Sequence, residues 1–167
     1  MNSRLRPPAH RVSARAMAKW ALELLLGGAV LTGCAFALSG WAAGAGWAWR
    51  PPWLPWLPWL VVAVTALSVL TVPYWRYRVH RWEISSDVVY LRIGALQRQW
   101  LLVPVSRIQT VDAQQNWLER LLRLATLRIN TASHEGSSEL VGLPLPTATD
   151  LASELARRAH ALRDDAT

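Results

Sequence analysis

Two apolar runs without a charged residue, Leu24 to Trp49 and Pro51 to Trp75, fill much of the first half of the chain, and the single residue Arg50 separates them. A bilayer core about 30 Å thick is crossed by roughly 20 helical residues rising about 1.5 Å each, so either run is long enough to span once. Signal-peptide apolar regions end at roughly 7–15 residues, and a cleaved leader would leave the second run without a role. The pattern predicts a transmembrane hairpin over 20–75, with spans at about 22–43 and 55–74. The prolines of Pro51-Pro52-Trp53-Leu54-Pro55-Trp56-Leu57-Pro58-Trp59 oppose a regular helix before Trp59, which confines the regular part of the second span to about Trp59 to Tyr74.

From Tyr77 onward the period shortens to two, with Val79, Arg81 and Glu83 alternating with His80, Trp82 and Ile84. Ser85-Ser86-Asp87 supplies a turn, Val88 to Ile93 a strand, Gly94 a break, and Gln97 to Val103 a further strand that Pro104 stops. Ile108 to Gln114 follows as another. Asn116 is then positioned to cap a short helix over Trp117 to Leu124, with Trp117, Leu121 and Leu124 as its apolar face. Leu127, Ile129 and Thr131 restore the alternation, Ser133 to Ser137 make a loop, and Leu140 to Leu143 form the last strand. A closing helix starts near Pro146 with Thr147 or Thr149 as cap and Asp150 in its first turn. Its face of Leu151, Leu155, Ala159 and Leu162 is expected to pack onto the open core of a six- or seven-stranded sheet structure. The domain organisation is therefore a basic tail over 1–19, the hairpin over 20–75, and a folded domain over 76–167.

Charge fixes the expected orientation. Arg4, Arg6, Arg11, Arg15 and Lys19 precede the first span with no acidic residue among them, only Arg50 lies between the spans, and Arg76, Arg78 and Arg81 follow the second. The positive-inside bias puts both termini in the cytoplasm. Of the formal charge of +7, residues 1–19 carry +5, so the high pI is a topology signal. No nucleic-acid-binding motif accompanies it, and no nucleic-acid partner is expected. Eight of the eleven tryptophans fall between Trp20 and Trp75, where indole rings favour the headgroup layer. Trp20, Tyr74 and Trp75 are the candidate inner anchors; Trp53, Trp56 and Trp59, spaced by three, are the candidate outer ones, with an external recognition site as the sharper alternative for the Trp-Pro segment. Gly40 and Gly44 form a small-xxx-small pair suited to helix packing.

Chemistry adds little. Cys34 is the sole cysteine and lies inside the first span, which rules out an intramolecular disulfide or a cysteine-based metal cluster. His80, His134, His160, Ser85, Ser86, Asp87 and Asp112 are scattered, with no nucleophile elbow, His-x-x-x-His pair or phosphate-binding loop. No catalytic residue, metal ligand or cofactor is assigned, and the chain reads as non-enzymatic.

Trp82-Glu83-Ile84, Arg92-Ile93-Gly94, the run Val103 to Val111, the run Leu118 to Ile129 and the closing helix resemble the YdbS-like bacterial pleckstrin-homology (PH) domain family of membrane proteins, over about Tyr74 to Leu162. The specific part is Pro104-x-Ser106-Arg107-Ile108-Gln109-x-Val111 followed by Leu118-x-Arg120-Leu121-Leu122. Arg123-Leu124 departs from it, because the family commonly carries Gly there. The resemblance implies an α+β, mainly β protein: a two-helix transmembrane hairpin followed by a PH-like, seven-stranded, partly open β-barrel capped by a C-terminal helix. It also implies a bacterial cytoplasmic membrane, and a partner that is another membrane protein with a PH-like domain. No ligand follows from the fold. The expected function is a membrane-tethered protein-interaction scaffold. The alternatives are an anionic-lipid sensor using Arg76, Arg78 and Arg81, or an oligomeric transport or stress-protection assembly packed through Gly40 and Gly44.

Overall fold

The computed structural model describes residues 10–45, 51–84, 88–93, 99–131 and 137–164, with the backbone alone at 90–93, 99–102, 106 and 162–164. The expectations at Arg4, Arg6, Trp47, Trp49, Arg50, the turn 85–87, Gly94 and the loop 132–136 lie outside these residues. The chain divides into two compact units, residues 20–74 and residues 1–19 together with 75–167.

The first unit is a pair of apolar helices. Helix α1 runs Arg15–Gly44 and α2 runs Leu57–Val79, preceded by a 3-10 turn at Leu54–Trp56. Both are long and apolar enough to cross a membrane. The second helix starts earlier than the prolines suggested. Pro55 sits in the first turn of the 3-10 segment and Pro58 in the first turn of α2, where a missing N–H costs no helical hydrogen bond. It also ends later, running through Pro73 to Val79. The helices approach at Gly28, where an added Cβ would collide with the Thr65 side chain, and Phe36 meets Trp59 edge-on at 6.0 Å between ring centroids. Pairing 28 with 65 and 36 with 59 makes the two helices antiparallel. The buried positions Gly28, Ala35 and Ala42 of α1 recur every seven residues, the spacing of a left-handed helix seam. Gly40 and Gly44 stand apart from it, with no heavy atom within 4 Å of a Cβ built at either among the described residues.

The second unit holds two antiparallel sheets. One is ordered β1-β2-β3-β4 from His10–Arg11, Arg81–Ile84, Val88–Ile93 and Gln99–Pro104; the other is β5-β6-β7 from Ile108–Gln114, Leu124–Thr131 and Ser137–Pro144. Among the described residues no strand pairs across the two sheets, so they do not close into a barrel. The seventh strand comes from ahead of the hairpin: His10 pairs with Trp82 and Arg11 with Arg81. Residues 10–19 are thus part of this domain and not simply a tail. A 3-10 turn at Val105–Arg107 carries the chain from one sheet to the other.

Between β5 and β6 lies the short helix α3, Trp117–Leu122. Helix α4, Leu145–Asp164, packs over β5 and the 3-10 turn, with Ala148, Leu155 and Ala159 buried against a core that includes Ile108, Leu127, Ile129 and Leu143. Thr149 lies within α4, its hydroxyl bonded back to the Pro146 carbonyl at 2.8 Å, and caps nothing. At Gly142, with φ +82°, β7 adopts a backbone that L side chains resist, and its carbonyl accepts from the Ser13 N–H at 2.9 Å.

Candidate functional site

The site is built where the chain enters and leaves the hairpin. Asn116 and Glu119 form a complete capping box: the Glu119 N–H donates to Asn116 Oδ1 at 2.8 Å, and the Asn116 N–H donates to Glu119 Oε2 at 2.9 Å. The second oxygen of the same carboxylate accepts from Lys19 Nζ at 2.8 Å and from the Thr126 hydroxyl at 2.7 Å. Lys19 and Glu119 are both buried, at 6% and 2% exposure. Burial alone opposes ionisation of Glu119, but the Lys19 ammonium, the Asn116 N–H and the Thr126 hydroxyl outweigh it and hold the carboxyl below the usual carboxylate value. A buried charge is tolerated when an opposite charge and further hydrogen bonds answer it in this way.

Helix α3 contradicts the expected apolar face. Trp117 and Leu121 are 67% and 71% exposed, whereas Leu118 and Glu119 are buried. Six residues offer two competing stripes, and the core took Leu118 together with the Glu119–Lys19 pair. The helix ends at Arg123, whose φ of 55° and ψ of 40° are left-handed, the conformation that favours glycine.

At the exit from α2, the His80 backbone N–H and its Nδ1–H both donate to the Arg76 carbonyl at 2.9 Å. Burial, only partly offset by that bond, holds the His80 imidazole below its ordinary value, and the Arg76 charge acts in the same direction. Arg76 and Arg78 are exposed in the last turn of α2, and Arg81 is half-buried in β2. The register aligns Arg11, Arg81 and Arg92 directly across β1, β2 and β3. Arg11 also lies over the Tyr77 ring, its guanidinium carbon 5.9 Å from the centroid. Of the candidate anchors, Trp20 is buried at 4% exposure, while Trp53, Trp56, Trp59, Tyr74 and Trp75 are more than half exposed.

A cleft of about 260 Å³ lies between β5 and α4, lined by Ile108, Gln109, Thr110, Val111, Asp112, Ala156, Ala159 and His160. Strand β5 ends its sheet, and five of its seven residues are exposed: Gln109, Thr110, Asp112, Ala113 and Gln114. Among the described residues no group of three His, Cys, Asp or Glu stands where it could hold a metal ion.

The family model described as bacterial PH domain matches residues 21–159. The chain is also 30% identical over 94 residues to the UPF0699 transmembrane protein YdbS of Bacillus subtilis (strain 168), an alignment covering 56% of this chain and 58% of that protein. The chain thus matches little more than half the length of this curated relative. No solved structure matches it. Neither description names an enzyme. The hairpin of apolar helices, the paired antiparallel sheets and the C-terminal helix agree with the sequence match over most of the length, and the chain belongs to the bacterial PH domain family.

Proposed function

We infer that the protein is a non-enzymatic membrane scaffold whose PH domain holds an extended segment of another membrane protein carrying the same type of domain. The observation that carries the reading is the β5–α4 cleft, where a strand at the end of a sheet runs beside a helix face lined by the small residues Ala156 and Ala159. That arrangement suits strand addition, in which main-chain hydrogen bonds hold a peptide and side pockets select it. The domain sits at the cytoplasmic face of the inner membrane, with both termini cytoplasmic and the Trp53, Trp56 and Trp59 segment anchoring the outer turn. Two features support this placement: the basic flanks, and the membership of residues 10–19 and 75–164 in one folded unit, which needs both ends of the hairpin on the same side.

A photo-crosslinking residue at Thr110 of the full-length protein in cells tests it. Capture of a PH-domain membrane protein, lost when Ala156→Arg fills the cleft of a folded protein, is the expected result. Crosslinks to lipid alone would overturn the reading.

The pairing of Arg11 with Arg81 across β1 and β2 favours a second reading, anionic-lipid recognition aided by Arg76 and Arg78. Like charges directly opposite on neighbouring strands are unfavourable unless an anion offsets them. Full-length protein in vesicles should then retain fluorescent phosphatidylglycerol in preference to phosphatidylcholine, and Arg81→Gln should abolish the preference. Equal retention of the two lipids would exclude it.

A further inference from the structure

We propose that the β5–α4 cleft selects its strand by charge: the segment it holds carries a lysine or arginine opposite Asp112, with an apolar residue on either side. The inference rests on the reading of the cleft as a strand-addition site and adds the partner's chemistry to it.

The register of the sheet puts Asp112, Arg128 and Glu139 in one row across β5, β6 and β7. Arg128 is turned along that row toward β7, where its Nε donates to Glu139 Oε1 at 2.9 Å and its Nη2 donates to the same oxygen. Two carboxylates thus stand beside one guanidinium, which is engaged with Glu139. Among the described residues Asp112 enters no hydrogen bond or ion pair. It is the one charged residue of β5, it is exposed on the strand that ends the sheet, and no lysine or arginine joins it in lining the cleft.

A strand added antiparallel to β5 brings one residue directly opposite Asp112, with the two Cβ atoms about 4.5–5.5 Å apart. At that distance a basic side chain pairs with the carboxylate and an acidic one is repelled. The neighbours of Asp112 on the same side of β5, Thr110 and Gln114, are uncharged, and the Thr110 hydroxyl already accepts from Asn130 Nδ2 at 2.8 Å.

The other side of the strand sets the flanking positions. Val111 stands opposite Ile129 and Ala113 opposite Leu127, and both partners are buried in the core that α4 covers. Residues of an added strand that face Val111 and Ala113 therefore turn toward α4, where the small side chains of Ala156 and Ala159 leave room for apolar ones. Successive side chains of a strand point to opposite faces, so the partner reads apolar, basic, apolar over three consecutive positions. A lipid surface does not fit this site, because the carboxylate on the open edge repels anionic headgroups.

The photo-crosslinking residue at Thr110 of the full-length protein in cells supplies the test, with mass spectrometry of the crosslinked peptide to place the join. The captured segment is expected to carry Lys or Arg two residues from the crosslinked position, flanked by apolar residues. Asp112→Asn should lower the yield about two- to fivefold, and Asp112→Arg about tenfold. Thermal unfolding of the purified variants checks the fold, and Asp112→Asn, which adds no charge beside Arg128, is decisive by itself if Asp112→Arg is unstable. Changing the partner's basic residue to Glu should abolish capture by the native protein and restore it to Asp112→Arg. A captured strand without that basic residue, or one captured equally well by both Asp112 variants, overturns the proposal and leaves strand addition standing. Crosslinks to lipid alone, or to no PH-domain protein, remove the strand-addition reading and the proposal with it.

Discussion

Ala16 lies so close to Gly142 that a Cβ added to the glycine would come within 2.7 Å of the alanine Cβ. The start of the first long helix is thereby seated on strand β7. Gly142→Ala meets two penalties, a left-handed backbone at φ +82° and the clash itself, which together should cost about 2–4 kcal/mol. Thermal unfolding of the full-length protein in nanodiscs measures the loss. Adding Ala16→Gly should recover the steric part and leave the backbone part.

Lys19→Met leaves the Glu119 carboxylate buried without its ammonium partner. The expected destabilisation is about 3–5 kcal/mol. Combining it with Glu119→Gln, which keeps a capping-box side chain, should return much of that stability. A double variant as unstable as Lys19→Met would show that packing of the lysine stem, not its charge, matters here.

Stability should rise with pH across two windows. The Glu119 carboxyl is lowered from its ordinary 4.5, so the unfolded chain takes up the proton first as pH falls; the stabilisation is complete above about 4.5 and lost as pH drops through the folded value. His80 is lowered from 6.5, so the folded state prefers the neutral ring, and stability falls as pH drops below 6.5 toward that lower value. His80→Asn, whose amide can donate the same bond to Arg76, should remove the upper window and leave the lower one intact. Denaturant midpoints measured across this pH range follow both.

Arg123→Gly is expected to stabilise the domain. It relieves a left-handed conformation worth about 1–2 kcal/mol in a residue with a Cβ, against an entropic cost of roughly 0.4–1 kcal/mol in the unfolded chain. A gain of up to about 1.6 kcal/mol should appear as a raised unfolding midpoint, with no change in the hairpin.

Gly28→Leu should force α1 and α2 apart, because Thr65 occupies the space its side chain would need. Gly40→Leu should leave their separation unchanged, since that position opens onto empty surroundings. Spin-label distances between α1 and α2 in nanodiscs distinguish the two.

Much of this fold could be read from the chain because its signals are long or local. Uninterrupted apolarity announced the hairpin, the β-branched runs gave Val88–Ile93 and Ile108–Gln114 to the residue, and Asn116 as a cap marked the start of α3. What stayed hidden was decided by distant partners. A two-residue strand at His10–Arg11 has no periodicity to detect, and only its pairing with β2 reveals it. The apolar side of α3 was misassigned because Trp117 and Leu121 make as good a stripe as Leu118 and Leu122, and the buried Lys19 at the other end of the chain settles the choice. Among so many small residues in α1, nothing local singles out Gly28 over Gly40 and Gly44.

The pairing of β1 with β2 also has a bearing on biogenesis. Its two halves leave the ribosome with both long helices between them, so, where those helices span the membrane as proposed above, the first sheet is completed only after both have been handed to it. Were only one to insert, His10 and Lys19 would end up across the bilayer from Trp82 and Glu119, leaving β2 with a bare edge and a buried carboxylate without its cation. Such a domain would remain partly unfolded and open to proteolysis, so correct threading of the hairpin is checked by whether the domain can finish folding.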